Sequence, residues 1–143
     1  MAEETSNQLR VRLVTPEREL FDQTATAVEL PSKSGYFEVL HGAAPLLAAL
    51  GAGEVRLHGG EGGDQRFNVA RGFVEVLPER VTILAESAMR PEEIDTARAQ
   101  KELDEGNKAW SEAGEDADKY TRANEIIREA ESKLESAGGA GKH

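Results

Sequence analysis

The pattern of apolar residues changes abruptly at Arg90-Pro91, and this change constrains the fold more than any other feature of the chain. Before it, segments such as Leu9–Val14 alternate apolar and charged residues with a period of two, which is typical of half-buried β-strands. After it, β-branched residues become rare and Ala, Glu and Lys dominate, as in helices. The sequence therefore predicts a sheet domain followed by helices.

Short strands succeed one another over residues 9–89, separated by clusters of Gly, Pro and Ser at roughly ten-residue intervals. This spacing predicts an all-β sandwich or flattened barrel of about ten short strands. The alternation assigns five side chains to its core: Leu9, Val11, Leu13, Phe67 and Val69. Residues 1–8 are polar and predict a flexible N-terminus.

Residues 90–137 predict an antiparallel helical hairpin. Pro91 suits the first turn of a helix that ends near Trp110. Asp116 or Asp118 then caps a second helix, which runs to about Ala137. Residues 138–143 predict a disordered tail.

Composition excludes several classes of function. The net charge of −10 and the pI of about 4.8 disfavour nucleic acid and anionic lipid as partners. The chain has no cysteine, so it has no thiol chemistry. No apolar run approaches the roughly 20 residues that a transmembrane helix needs, and the acidic start is unlike a signal peptide. We therefore expect a soluble protein of the cytoplasm.

The stretch Gly35–Leu50 is the least charged part of the chain, with Glu38 as its only carboxylate. Two apolar segments meet there across a tight connector that begins with His41-Gly42-Ala43. We interpret it as two core strands and a turn, with one side that lies against something outside the chain.

Catalytic constellations are absent from the sequence. It contains no nucleophile elbow, no phosphate-binding loop and no dinucleotide fingerprint. His41, His58 and His143 are far apart and lack spaced carboxylates, so no metal site is predicted. Asp95 and Arg98 can share a helix face, as a surface ion pair or as a site for a small anionic ligand. The chain is not predicted to be an enzyme.

Five segments, in this order and spacing, resemble the epsilon subunit of F-type ATP synthases from Leu9 to about Ala137. They read LVTPERELF at 13–21, GYFEVLHGAAPLL at 35–47, GFVEV at 72–76, VTILAESA at 81–88 and IDTARA at 94–99. The resemblance implies a non-catalytic central-stalk subunit, with a sandwich of ten strands and two helices. Its sandwich would bind the gamma subunit and stand on the polar loops of the membrane-embedded c-ring.

The resemblance also implies where the contacts lie. The gamma and c-ring interface would comprise Tyr36, Phe37, Leu40, His41, Gly42 and Ala43. The helices would meet the alpha and beta subunits transiently and regulate ATP hydrolysis, only weakly here because they are net negative. The protein would lie on the cytoplasmic face of a bacterial plasma membrane, held there through the complex.

No resident cofactor is expected, although nucleotide-binding members of the family imply a regulatory ATP. Asp95 and Arg98 match the pattern of those members, and either Arg122 or Arg128 could supply the second-helix arginine. Met89 stands where those members carry a Glu. Two alternatives stay open at this point: a free-standing ATP sensor built on these residues, and a general β-sandwich interaction module.

Overall fold

Eight β-strands and two α-helices make up the computed structural model, which describes residues 8–139. The strands are β1 Leu9–Val14, β2 Glu19–Ala25, β3 Ala27–Ser32, β4 Gly35–Leu40, β5 Leu46–Ala49, β6 Gly53–His58, β7 Gln65–Leu77 and β8 Arg80–Met89. The helices are α1 Thr96–Ser111 and α2 Ala117–Gly139. The chain separates into two compact units, one ending at Met89 and the other beginning at Arg90.

The strands form a β-sandwich around one apolar core, as the sequence predicts. They pair in the order β2-β1-β8-β7-β6-β3-β4, and β5 pairs with the second half of β7. The side chains assigned to the core by alternation are confirmed as fully buried: Leu9, Val11, Leu13, Phe67 and Val69. Phe21 packs against Phe67 with their ring centroids 5.0 Å apart.

The predicted count of about ten strands is wrong, since eight lie within residues 8–139. The sequence suggests two strands on either side of Arg71-Gly72, but both belong to the single 13-residue β7. Arg71 and Gly72 adopt φ values of 57° and 132°, which change the course of the strand without breaking its pairing with β8. A Cβ on Gly72 would collide with the carbonyl oxygen of Leu84, so this position requires glycine.

The first helix begins later than predicted. Pro91–Glu93 forms only a 3-10 turn, and Ile94 returns to extended backbone with φ −73° and ψ 124°. Asp95 then caps α1, because its Oδ1 accepts a hydrogen bond from the backbone N–H of Arg98 at 3.1 Å.

The second helix has the predicted cap and a later end. Oδ1 of Asp116 accepts hydrogen bonds from the backbone N–H groups of Asp118 at 3.0 Å and Lys119 at 3.3 Å. Helix α2 continues through Gly139, two residues beyond the predicted end at Ala137. The predicted tail is therefore helical at 138 and 139, and its remainder lies outside the described residues, as does most of the predicted flexible N-terminus, 1–8.

Small side chains allow the two helices to approach closely. Ala99 and Gly106 of α1 and Ala123 and Ala130 of α2 are buried at seven-residue spacings. A Cβ on Gly106 would lie 2.9 Å from Cγ atoms of both Ile126 and Ile127. At the end of the hairpin, Trp110 packs edge-on against Tyr120 with ring centroids 5.5 Å apart. As far as the structure describes them, neither helix is long and apolar enough to cross a membrane.

Candidate functional site

A tight turn follows β4 in the middle of the stretch Gly35–Leu50. Gly42 has a φ of 88°, and its N–H donates a hydrogen bond to the carbonyl oxygen of Pro78 at 2.7 Å. The N–H of Ala43 donates to the carbonyl oxygen of Leu40 at 3.2 Å. The turn is therefore fixed beside the β7–β8 connection, which presents both loops at one edge of the sandwich.

The six predicted interface residues divide by exposure. Tyr36, Leu40 and Gly42 are exposed, with Tyr36 at 52% and Leu40 at 54%. Phe37, His41 and Ala43 are partly buried, and both Phe37 and Ala43 pack against the core. The first group can contact a partner directly, whereas Phe37 and Ala43 anchor the turn.

A row of apolar side chains crosses one outer face of the sandwich. Ala49 of β5 pairs with Phe73 of β7, Phe73 with Leu84 of β8, and Leu84 with Val14 of β1. Leu47 lies two residues from Ala49 on the same face. The exposed fractions are 69% for Leu47, 57% for Phe73 and 54% for Leu84. These five residues, here named the apolar stripe, form the kind of surface that marks a protein interaction site.

The apolar stripe is not among the surfaces predicted from the sequence, although the alternation contains a signal for it. Phe73 alternates with buried Val74 and therefore shares the outer face with Glu75. Leu84 alternates in the same way with the buried residues Ile83 and Ala85. A large apolar residue at a position that the period of two assigns to solvent is the signal that could have revealed this surface.

A charged network fixes Tyr36 on another part of the sandwich. The Tyr36 hydroxyl accepts a hydrogen bond from the N–H of Glu54 at 2.8 Å, and the Arg56 guanidinium lies 5.4 Å from the centre of its ring. The buried Glu54 carboxylate accepts from Arg56 at 3.0 Å and Arg66 at 2.9 Å. Burial lowers the pKa of Arg56. The hydrogen bond and the charge of Glu54 raise it by more, so the net shift of the pKa is upward.

Asp95 and Arg98 have structural partners within the hairpin. The Asp95 carboxylate caps α1, as described above. The Arg98 side chain is largely exposed and lies 3.7 Å from Glu102, which also accepts a hydrogen bond from Lys133 of α2 at 3.1 Å. The predicted ion pair within one helix face is thus formed by Arg98 and Glu102, not by Arg98 and Asp95.

The two second-helix arginines lie far along the hairpin from Arg98. The close approach of Gly106 to Ile126 and Ile127 shows the antiparallel register of the helices. At 1.5 Å per residue, Arg128 is displaced from Arg98 by about 10 Å along the axis and Arg122 by about 19 Å. Both are exposed on α2. The four residues named for ATP are not brought together in this arrangement.

The histidines have different surroundings from those that sequence spacing suggests. His41 lies in the turn after β4, and His143 lies outside the described residues. His58, at the end of β6, has carboxylates of Glu29 and Glu38 close by, with ligand atoms of all three residues within 4.8 Å of one another. The sheet assembles this group from three strands, so spacing along the chain could not indicate it.

Sequence comparison identifies relatives over both units. Residues 8–91 match the family model described as ATP synthase, Delta/Epsilon chain, beta-sandwich domain. An ATP synthase epsilon chain from Koribacter versatilis is 46% identical over 89 residues, which span 62% of this chain and 62% of that relative. An ATP synthase epsilon chain from Gloeothece citriformis is 36% identical over 133 residues, which span 92% of this chain and 96% of that relative.

Solved structures have the same fold at low sequence identity. A chain of the Euglena gracilis mitochondrial ATP synthase, solved with OSCP, F1 and c-ring, has a TM-score of 0.73 and 21% identity, covering 95% of this chain and 82% of that chain. A chain from the Tetrahymena thermophila mitochondrial ATP synthase central stalk and c-ring has a TM-score of 0.57 and 12% identity, covering 88% and 96%. These structures show the shared fold, and the family model together with the relatives in sequence establishes that the chain belongs to the family of ATP synthase epsilon chains.

Proposed function

We propose that this chain docks on the gamma subunit of its ATP synthase through the apolar stripe and thereby forms part of the rotating central stalk. An epsilon chain is a non-catalytic subunit of the enzyme complex. The observation that carries the proposal is the in-register row Ala49–Phe73–Leu84–Val14, in which Phe73 and Leu84 are exposed, flanked by the exposed Leu47. An apolar row of this kind is stabilised when a partner removes it from water.

The turn after β4 is the proposed contact with the c-ring. Leu40 and Gly42 are exposed there, and the hydrogen bond from Gly42 to Pro78 holds the turn in place. Tyr36, the third exposed residue of the predicted interface, lies at the other end of β4. A fixed loop loses little conformational entropy when it binds, which favours a contact that must transmit torque. The gamma and c-ring contacts would then lie on different parts of one rigid sandwich.

The helical unit is the proposed regulatory element, through transient contact with the alpha and beta subunits. Acidic residues outnumber basic residues in this part of the chain. The resemblance implies that inhibitory members of the family carry basic helices that meet an acidic loop of the beta subunit, and a net negative hairpin is poorly suited to bind such a surface. We therefore expect it to inhibit ATP hydrolysis only weakly.

ATP binding by this unit is the alternative function, as a sensor that works apart from the stalk. The observed register gives it less support, because Arg98 pairs with Glu102 and the arginines of α2 are displaced along the hairpin. ATP binding would require these helices to rearrange. Titration with ATP tests this alternative directly.

The proposed location is the cytoplasmic face of a bacterial plasma membrane. The chain would be peripheral there, held by gamma and the c-ring. Its similarity to epsilon chains from Koribacter versatilis and other bacteria supports this setting.

Co-purification tests the main proposal. The tagged chain is co-expressed with its cognate gamma subunit, and a stable complex is expected on size-exclusion chromatography. Replacing Phe73 and Leu84 together by Ser should prevent complex formation while the free chain stays folded. A complex that survives this double replacement would contradict docking through the apolar stripe.

A further inference from the structure

A group of metal-ligating side chains lies on the outer face of the strands β3, β4 and β6. Glu29 and Glu38 stand directly opposite each other in the β3–β4 register, and His58 lies diagonally across on β6. One ligand atom from each residue lies within 4.8 Å of the other two. Two like charges directly opposite each other destabilise a sheet unless a cation compensates them.

The His58 ring is oriented for metal binding by its neighbours. Its Nε2 lies 2.5 Å from Oε2 of Glu29, and its Nδ1 faces Oδ2 of Asp64 at 3.8 Å. The other oxygen of Asp64, Oδ1, accepts a hydrogen bond from the N–H of Gly59 at 2.9 Å, which fixes this carboxylate in the loop after β6. A carboxylate therefore stands at each ring nitrogen, and a metal ion would replace the proton that Nε2 and Glu29 share, releasing it to solvent. Asp64 would remain behind Nδ1, as the outer-shell carboxylates of zinc-binding histidines do.

Local charge also favours a cation. Glu29, Glu38 and Asp64 are acidic, and Arg56 is the basic side chain beside them, 3.6 Å from Oε1 of Glu29. That distance is too long for a strong hydrogen bond, and Arg56 has a closer partner in Glu54 at 3.0 Å. Arg56 can therefore leave Glu29 without losing its main contact.

We propose that Glu29, Glu38 and His58 bind a divalent transition-metal ion, with zinc as the probe. Ligand atoms on tetrahedral zinc lie about 3.3 Å apart for bonds of about 2.0 Å, so the three side chains need shifts of about 1 Å. An imidazole nitrogen with two carboxylates suits zinc and its neighbours, whereas Mg²⁺ prefers oxygen ligands and retained water. The ion would join the edge strand β4 to β3 and β6.

Zinc titration of the full chain tests the site by calorimetry and by the NMR signals of the His58 ring. One zinc per chain is expected, with a shift of the ring signals that excess Mg²⁺ does not reproduce. Glu38→Gln is the main variant, because Glu38 is exposed and has no hydrogen bond or ion pair among residues 8–139, so folding should not change. It should weaken zinc binding at least tenfold, and Asp64→Asn about tenfold through the ring orientation.

Two control variants separate this site from adventitious binding. Glu17→Gln removes a carboxylate from the exposed turn between β1 and β2, and His143→Ala removes a histidine outside the described residues. Both should bind zinc as the parent chain does. The proposal is overturned if the parent chain binds no zinc, or if Glu38→Gln and His58→Ala bind it unchanged, since His58 and Glu29 would then form only a structural pair.

Discussion

Replacement of Phe73 by Ala is the sharpest test of the gamma contact. An aromatic side chain has about 200 Å² to bury, so the 57% exposure of Phe73 leaves about 110 Å² for a partner to cover. At about 25 cal/mol per Å², that area corresponds to about 3 kcal/mol. We expect Phe73→Ala to cost about 2–3 kcal/mol of binding free energy, which is a rise of about 30- to 150-fold in Kd.

The same measurement on two leucines provides a matched comparison. Leu84 lies in the apolar stripe and Leu40 beside the turn after β4, and each is 54% exposed. Truncation of each to Ala removes similar chemistry from the same domain. Leu84→Ala should raise the Kd for gamma about fivefold, from a loss of about 1 kcal/mol, whereas Leu40→Ala should leave it unchanged.

The Kd of each variant for gamma is measured with surface-immobilised gamma and a concentration series of the variant. Thermal unfolding of the free variants checks that each sandwich is intact. The reasoning would be refuted if Phe73→Ala changed the Kd by less than about twofold, which is below 0.5 kcal/mol. A loss for Leu40→Ala equal to that for Leu84→Ala would instead extend the gamma contact over the turn.

Four further outcomes are expected. Deletion of all residues after Ala88 should leave gamma binding intact in a pull-down, because the apolar stripe lies in the sandwich. The same deletion should raise ATP hydrolysis by the complex less than tenfold in a coupled ATPase assay. Calorimetry at millimolar ATP should show no binding, and any heat observed that persists in Arg98→Ala would exclude the predicted residues. Gly106→Val should destabilise the hairpin by about 1–3 kcal/mol, because its Cβ would crowd Ile126 and Ile127; the fluorescence of Trp110 reports the loss. Arg71→Gly should raise the melting temperature, since it relieves a positive φ that costs a non-glycine residue about 1 kcal/mol.

Alternation was sufficient to predict the core of the sandwich, because each strand buries one face. Leu9, Val11 and Leu13 are fully buried for this reason. The prediction of separate strands failed at Arg71-Gly72, because positive φ values of the kind found there normally mark a turn. Continuous pairing of β7 with β8 keeps one strand there, and this pairing is a tertiary effect that no local pattern contains.

The helical unit shows a similar limit. Helix caps depend on local sequence, so the cap at Asp116 could be predicted. The extended backbone at Ile94, which separates the 3-10 turn from α1, could not be predicted. Apolar spacing does not indicate the packed face of α1, because Ala97 and Trp110 are exposed. Packing selects instead the small residues Ala99 and Gly106, since close backbone approach excludes larger ones.

The apolar stripe and the proposed metal site both contain residues that break the pattern of the strands around them. Phe73 and Leu84 break the period of two, and the opposed Glu29 and Glu38 break the rule against like charges across a strand pair. Such departures cost stability in the isolated chain and are expected at functional positions. A partner would offset the cost of Phe73 and Leu84 by covering their apolar area. A cation would offset the cost of Glu29 and Glu38 by neutralising their charge. The two departures are recognised only after the strand register is known, because the residues that form each surface come from three or four separate strands.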